Sequence, residues 1–210
     1  GGTGDGGKVS VNGTVYEDAD VYAFVKNNGG KVAVYKENLY KPMPGYRFIA
    51  SNTDRSRYYV GELNGRSSKQ AYMAALHISE SNIINQTFHN PLGKMNGQDI
   101  CIISLKEVSG NGLCCYRQVN DSDVLVLLEE QDYNEILDET LQRIRRDFKH
   151  ISGVFSINCV FRYLLFSQEH HMEDYLKTMS TLGDHAGLIG FGEHYNQQFV
   201  NQTMTCVVFE

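Results

Sequence analysis

The sequence predicts an α+β fold with largely antiparallel or mixed β-sheets covered by helices, a layered α/β sandwich. Three observations carry this. Short apolar runs are separated by tight glycine turns, among them Asn12-Gly13, Asn64-Gly65 and Gly110-Asn111-Gly112, which is the spacing of hairpins. Only three segments carry the apolar spacing of a helix. Their order (several strands, helix, hairpin, helix, strand, helix, hairpin) is not the alternation of a βαβ array. The 210 residues suit one large domain or two small, intimately packed ones.

The first quarter reads as a meander. Lys8 to Val11 and Thr14 to Tyr16 flank Asn12-Gly13. Ala19 to Lys26 and Lys31 to Lys36 flank Asn27-Asn28-Gly29-Gly30. The alternation of Val21 to Val25 is weak, so that strand is expected to be covered on both faces. Pro42, Pro44 and Gly45 mark a crossing loop. Strands over Tyr46 to Ala50 and Arg57 to Glu62 lead to Asn64-Gly65. Ser67-Ser68-Lys69-Gln70 is a capping box with Ser67 as N-cap, opening a helix through Leu76. After a loop at His89 to Gly93, strands over Ile100 to Val108 and Leu113 to Val119 form a third hairpin, and Val124 to Glu129 adds another strand. Tyr133 to Phe148 has Leu137, Leu141, Ile144 and Phe148 at helical spacing, with acids early and bases late. A buried-type strand over Gly153 to Phe161, a helix over about His171 to Thr181, and strands over Ala186 to Glu193 and Phe199 to Phe209 complete the chain.

Composition excludes some functions. Nineteen Lys and Arg against 25 Asp and Glu give a net charge of −6, which argues against nucleic acid as a partner, since phosphate backbones need a clustered cationic face. The longest basic block is Arg143-Ile144-Arg145-Arg146. Its position late in a helix suits the dipole, with phosphate binding as the alternative. The five cysteines form no CxxC pair; thiols within apolar strands suggest a reducing, cytoplasmic compartment. No long apolar run or signal peptide is present, so no direct membrane insertion is expected.

The closing fifty residues set polar groups into apolar runs. Arg162 offers a planar fork that matches a carboxylate, either a ligand's or that of Glu193. Glu193 stands at a strand end and could receive an ammonium. Asn158 and Asn201 supply donor and acceptor together; turn chemistry alone favours Asn201 as satisfying the loop backbone before the last strand. Gly190 and Gly192 permit close backbone approach or a bulge. Cys159, with His185 or His194 as base, raises a thiol-hydrolase reading, but its apolar neighbours favour a buried inert thiol. The glycine-rich opening, Gly1 to Gly7, reads as a flexible turn rather than a phosphate loop. His170, His171 and Glu173 read as solvated helix-start residues rather than a metal site, and no cofactor is expected.

Taken in order, Cys159-x-x-Arg162 after a buried strand, Gly190-Phe191-Gly192-Glu193, and Asn201-Gln202-Thr203 before a final apolar strand resemble the C-terminal half of the FIST sensory domain. The opening Gly1-Gly2-Thr3-Gly4-Asp5, a short strand and Asn12-Gly13 are similar to the glycine motif late in that family's N-terminal half. The resemblance implies that residues 1–65 are the C-terminal part of a FIST N-type domain and residues 66–210 a FIST C-type domain. That family's N-terminal half extends upstream of the glycine motif, so an incomplete half with an exposed sheet edge is expected. The resemblance further implies a ligand-sensing module of signal transduction without catalysis. Its ligand would be a small molecule such as an amino acid, and it would act with an output signalling domain or partner protein. Asn158, Arg162, Gly192, Glu193 and Asn201 are the expected ligand-binding residues; an interaction scaffold without a small ligand is the alternative.

Overall fold

The computed structural model describes residues 7–97 and 99–210. Among the described residues, sheets and five α-helices make it an α+β fold, as expected. The described residues form two compact units: a terminal unit of residues 7–38 and 133–210, and an inserted unit of residues 39–132.

The terminal unit begins with the hairpin β1 (Lys8–Val11) and β2 (Thr14–Glu17). Its turn residues Asn12 and Gly13 have φ of 52° and 80°, the paired positive values that a type I′ turn requires. The strand expected over Ala19 to Lys26 does not form. Tyr22 is 79% and Phe24 94% exposed, so the expectation of cover on both faces is corrected. Apolar residues favour a strand only where a neighbour takes up the backbone groups, and no described strand pairs with this segment. The next strand, β3 (Val32–Asn38), is the last before the inserted unit.

The inserted unit opens with the long β4 (Tyr40–Asp54), followed by β5 (Tyr59–Leu63) and the short β6 (Arg66–Ser67). Pro42, Pro44 and Gly45 lie within β4 and not in a crossing loop. The pairing of β4 with a later strand skips register between Pro42 and Arg47, and such an irregularity tolerates residues that cannot donate to a ladder. Helix α1 (Ser68–Leu76) starts where predicted: the Ser67 side chain accepts from the Gln70 amide at 3.3 Å. The short α2 (Ile83–Gln86) follows.

Then come β7 (Leu92–Asn96), β8 (Asp99–Ile103), β9 (Leu105–Ser109), β10 (Gly112–Cys115) and β11 (Val124–Glu130). The predicted loop at His89 to Gly93 thus ends in a strand, and the predicted strand over Ile100 to Val108 is broken at Ser104. All pairings are antiparallel, in the order β8-β7-β11-β4-β5-β10-β9 with β6 against β5. The first and last strands of that order are separated in the chain by Ser104 alone, so the sheet curls back on itself. Inside it lie Leu63, Leu92, Ile103, Leu105, Leu113 and Leu125, closed by Tyr72 of α1. Gly112 has a steric reason: a Cβ there would stand 2.3 Å from the Tyr59 ring.

The rest of the terminal unit runs through α3 (Tyr133–Asp147), β12 (Gly153–Cys159), α4 (Val160–Gln168) and α5 (Met172–Met179). It ends with β13 (His185–Gly190), β14 (Glu193–Tyr195), β15 (Gln198–Val200) and β16 (Thr203–Phe209). The main sheet has the order β13-β12-β16-β3. Its β12–β13 pair is parallel, joined by a crossover through α4 and α5, while β14 and β15 form a separate hairpin. The predicted strand over Gly153 to Phe161 stops at Cys159. The run Cys159 to Phe166 mixes apolar and aromatic residues that suit either element, and its helical period shows only in the buried trio Arg162, Leu165 and Phe166.

Alternation along this sheet separates two faces. Ser156 and Asn158 of β12 stand opposite Cys206 and Met204 of β16, which face Tyr35 and Glu37 of β3; all six are buried. The opposite face is open, with Val32, Val34, Phe155 and Leu188 between 40% and 48% exposed.

Candidate functional site

The buried face of the terminal sheet carries charge at its end. Asn158, Met204 and Glu37 form one row across β12, β16 and β3. Arg162, in the first turn of α4, reaches this row and donates from Nη2 to Glu37 Oε1 in an ion pair; the side chains are 1% and 0% exposed. The guanidinium also lies over the rings of Phe166 and Tyr175, with its carbon 4.6 Å and 5.4 Å from their centroids, a favourable placement for a cation. Tyr175 hydroxyl accepts from Asn158 Nδ2 at 3.0 Å. Ser156 Oγ and His185 Nε2 are 2.8 Å apart. Charge, ring and amide thus form a polar layer beneath the helices.

Two sequence expectations change here. Arg162 lies in a helix that the sequence did not predict, and its carboxylate partner is Glu37, not Glu193. Sequence reasoning missed Glu37, although the same signal was available. It is a charged residue in phase with Ala33 and Tyr35 in an apolar strand, and the other phase (Val32, Val34) is apolar too, which hid it.

Glu193 opens β14 at 1% exposed. It lies beside the Cys159 thiol and the Gly192 amide, but neither carboxylate oxygen has a well-formed hydrogen bond. Burial pushes its pKa from 4.5 up to about 7. Burial and the neighbouring Glu193 push the Cys159 thiol up to about 12, the opposite of what a thiolate nucleophile needs. His185 is engaged with Ser156, and His194 packs against the Phe199 ring at 5.5 Å. Gly190 pairs in register with Cys159. Gly192 has φ of 96°, and a Cβ there would meet the Phe199 ring at 2.9 Å, so both conformation and space require glycine.

Asn201 lies in the turn between β15 and β16, buried, with its Nδ2 unpartnered. In the same state are Asn158 Oδ1, Arg162 Nε and Nη1, Thr203 Oγ1, Glu37 Oε2 and His171 Nε2. His171 is therefore no solvated helix-start residue; its ring packs between Tyr133 and Phe166 at 5.3 Å and 4.8 Å. A buried polar atom without a partner costs about 1–3 kcal/mol, and native proteins hold few of them. Here they concentrate near the carboxyl end of β12 and the start of α4. The glycine-rich opening, Gly1 to Asp5, lies outside the described residues.

The sequence profile of the FIST C domain matches residues 69–196. The chain belongs to the FIST C family. The FIST C domain is a sensory domain of signal transduction. Its match contains Asn158, Arg162, Gly192 and Glu193 and ends before Asn201. No curated protein matches the chain, and no solved structure does. Among the described residues, no helix is long and apolar enough to cross a membrane.

Proposed function

We propose that this FIST C protein is a cytoplasmic sensory module that binds a small zwitterion of amino-acid type at the carboxyl end of β12. Arg162, neutralised on one side by Glu37, offers its remaining N–H groups to a carboxylate. Glu193 receives the ammonium, Asn158 and Asn201 orient the molecule, and Gly192, through a positive φ that glycine adopts readily, sets the backbone that presents Glu193 to it. The observation that supports this reading is the concentration of buried polar atoms without protein partners around that strand end. Residues 1–65 would be the late part of a FIST N-type domain, and the signal would pass to an output domain or partner protein. A ligand signals only by stabilising one state over another.

The test is calorimetry against a panel of amino acids, repeated on Glu193→Gln. At least tenfold weaker binding is expected from the variant; unchanged affinity would sink the role given to Glu193. A second reading, an interaction scaffold, is favoured by the open apolar face at Val34, Phe155 and Leu188. It predicts no thermal shift with any member of the panel.

A further inference from the structure

The open face of the terminal sheet carries two adjoining apolar depressions. One, of about 170 Å³, is walled by Val34, Phe155, Ile157, Tyr195 and Val207. The other, of about 280 Å³, is walled by Phe155, Ala186 and Phe209, and Asp184 also lines it. Each has room for one aromatic ring, since an apolar cavity of about 150 Å³ binds benzene. They share Phe155 and are offset along β12, one over residues 153–155 and the other over residues 155–157. Two residues of strand span about 7 Å.

A segment of matching form stands clear of the protein. Residues 20–26 are exposed throughout and pair with no described strand. Tyr22 and Phe24 project together, their ring centroids 5.4 Å apart, as side chains at i and i+2 of an extended chain do. Their spacing is that of the two depressions. Charge fixes the direction. Asp20 and Lys26 bracket the rings. At the smaller depression the Lys36 ammonium stands 5.6 Å from the Tyr195 ring centroid, and Asp184 borders the larger. With Tyr22 in the smaller depression and Phe24 in the larger, Asp20 approaches Lys36 and Lys26 approaches Asp184.

A chain cannot lay this segment on its own sheet in that register. Asn27 Nδ2 donates to the Gly30 and Lys31 carbonyls at 3.2 Å and 3.3 Å, and the Lys31 amide donates to Glu210 Oε2 at 2.9 Å. These bonds fasten the end of the segment beside β3. Asp184 precedes β13, at the opposite edge of the order β13-β12-β16-β3, which is three strand spacings or about 14 Å away. Lys26 is one residue from Asn27, about 3.5 Å of chain, and falls short even with its side chain extended. We propose that two copies of this chain exchange residues 20–26. Each lays the segment across the open face of the other, with Tyr22 and Phe24 on either side of Phe155. Four rings of about 150–250 Å² each, together with Val21, Val25 and the faces they cover, exceed the roughly 1,000 Å² of a specific interface. Reciprocal exchange of one element is a low-cost route to a closed dimer. This pairing goes beyond the sensory reading and needs no ligand at the end of β12.

The experiment is sedimentation equilibrium of the full chain over a range of concentrations, where a reversible dimer is expected. Phe24→Asp, at a position exposed in the single copy, should weaken the dimer about tenfold or more without unfolding the chain. Lys26→Glu and Asp184→Lys, both at exposed positions, should each weaken it by about threefold or more through like-charge contact. Combined in one chain, the two reversals should restore the parent's dimerisation, which a contact elsewhere on the surface would not do. A chain that stays monomeric at every concentration overturns the proposal, whether the face is left bare or taken by another partner. So does a dimer that Phe24→Asp leaves unchanged, and so does a charge pair whose combination fails to recover what the single reversals lose.

Discussion

The inserted and terminal units bury different things. The curled sheet of residues 39–132 closes over Leu63, Leu92, Ile103, Leu113 and Leu125, and its buried hydroxyls are mostly engaged. Ser68 donates to the Val60 carbonyl at 2.6 Å, and Thr87 Oγ1 accepts from the Leu105 amide at 2.8 Å. Among the described residues of that unit, Ser104 Oγ alone is a buried side-chain polar atom without a partner. The terminal unit instead buries an arginine, two glutamates and two asparagines, several with unpartnered atoms. Packing for stability alone favours apolar residues at such positions, because replacing buried ion pairs by apolar residues is often neutral or stabilising. The contrast separates a unit whose interior is explained by packing from one whose buried polar groups are left partly unsatisfied by the protein itself.

The largest effect that tests this contrast is Arg162→Ala. It leaves Glu37 charged and unpaired in the interior and is expected to lower stability by about 3–5 kcal/mol, read by urea denaturation. The double change Arg162→Met/Glu37→Leu should recover most of that loss. A double variant as unstable as the single one would show that the pair is structural and would break the comparison.

Next in size is a pH effect at Glu193. A carboxyl that holds its proton to about 7 in the fold, against 4.5 ordinarily, makes the native state bind more protons than the unfolded chain between those values. Stability therefore falls as pH rises through that window and is insensitive to this group below it. Denaturation at pH 5 and pH 8 should show Glu193→Gln more stable than the parent at the higher pH and close to it at the lower. A parallel pH profile in parent and variant would place the buried charge elsewhere. The smallest effect belongs to the inserted unit. Ser67→Ala should cost about 1 kcal/mol through the lost N-cap, measured by the urea midpoint, while the amino-acid binding proposed for the terminal unit stays unchanged.

Much of the fold was legible because local chemistry agreed with it. Asn12-Gly13 and Asn64-Gly65 adopt positive φ at both turn residues, Ser67 caps α1, and the stripe of Leu137, Leu141 and Ile144 is the buried side of α3. The failures came where tertiary context decided. Val21 to Val25 has strand composition but no described partner strand. The segment after Cys159 is apolar and aromatic without a clear period, so α4 was hidden, and with it the helical position of Arg162. The polar residues of the closing segments were visible as anomalies, but a single strand does not say which carboxylate meets which arginine. The choice of Glu37 over Glu193 depends on β16 lying between β3 and β12, which is sheet order and not local sequence.

The stretch between β2 and β3 has a practical consequence for anyone handling the protein. Tyr22, Phe24 and Val25 are 79%, 94% and 77% exposed, and Lys26 is exposed beside them. Chymotrypsin and trypsin both find their preferred side chains there, outside any ladder, and exposed backbone of this kind is where proteases cut first. A nick after Phe24 or Lys26 would detach the β1–β2 hairpin and spare every strand of the β13-β12-β16-β3 sheet. A purified sample shortened by about 25 residues would thus retain the Arg162–Glu37 pair and the candidate site at the end of β12, and is the natural form to take into crystallisation.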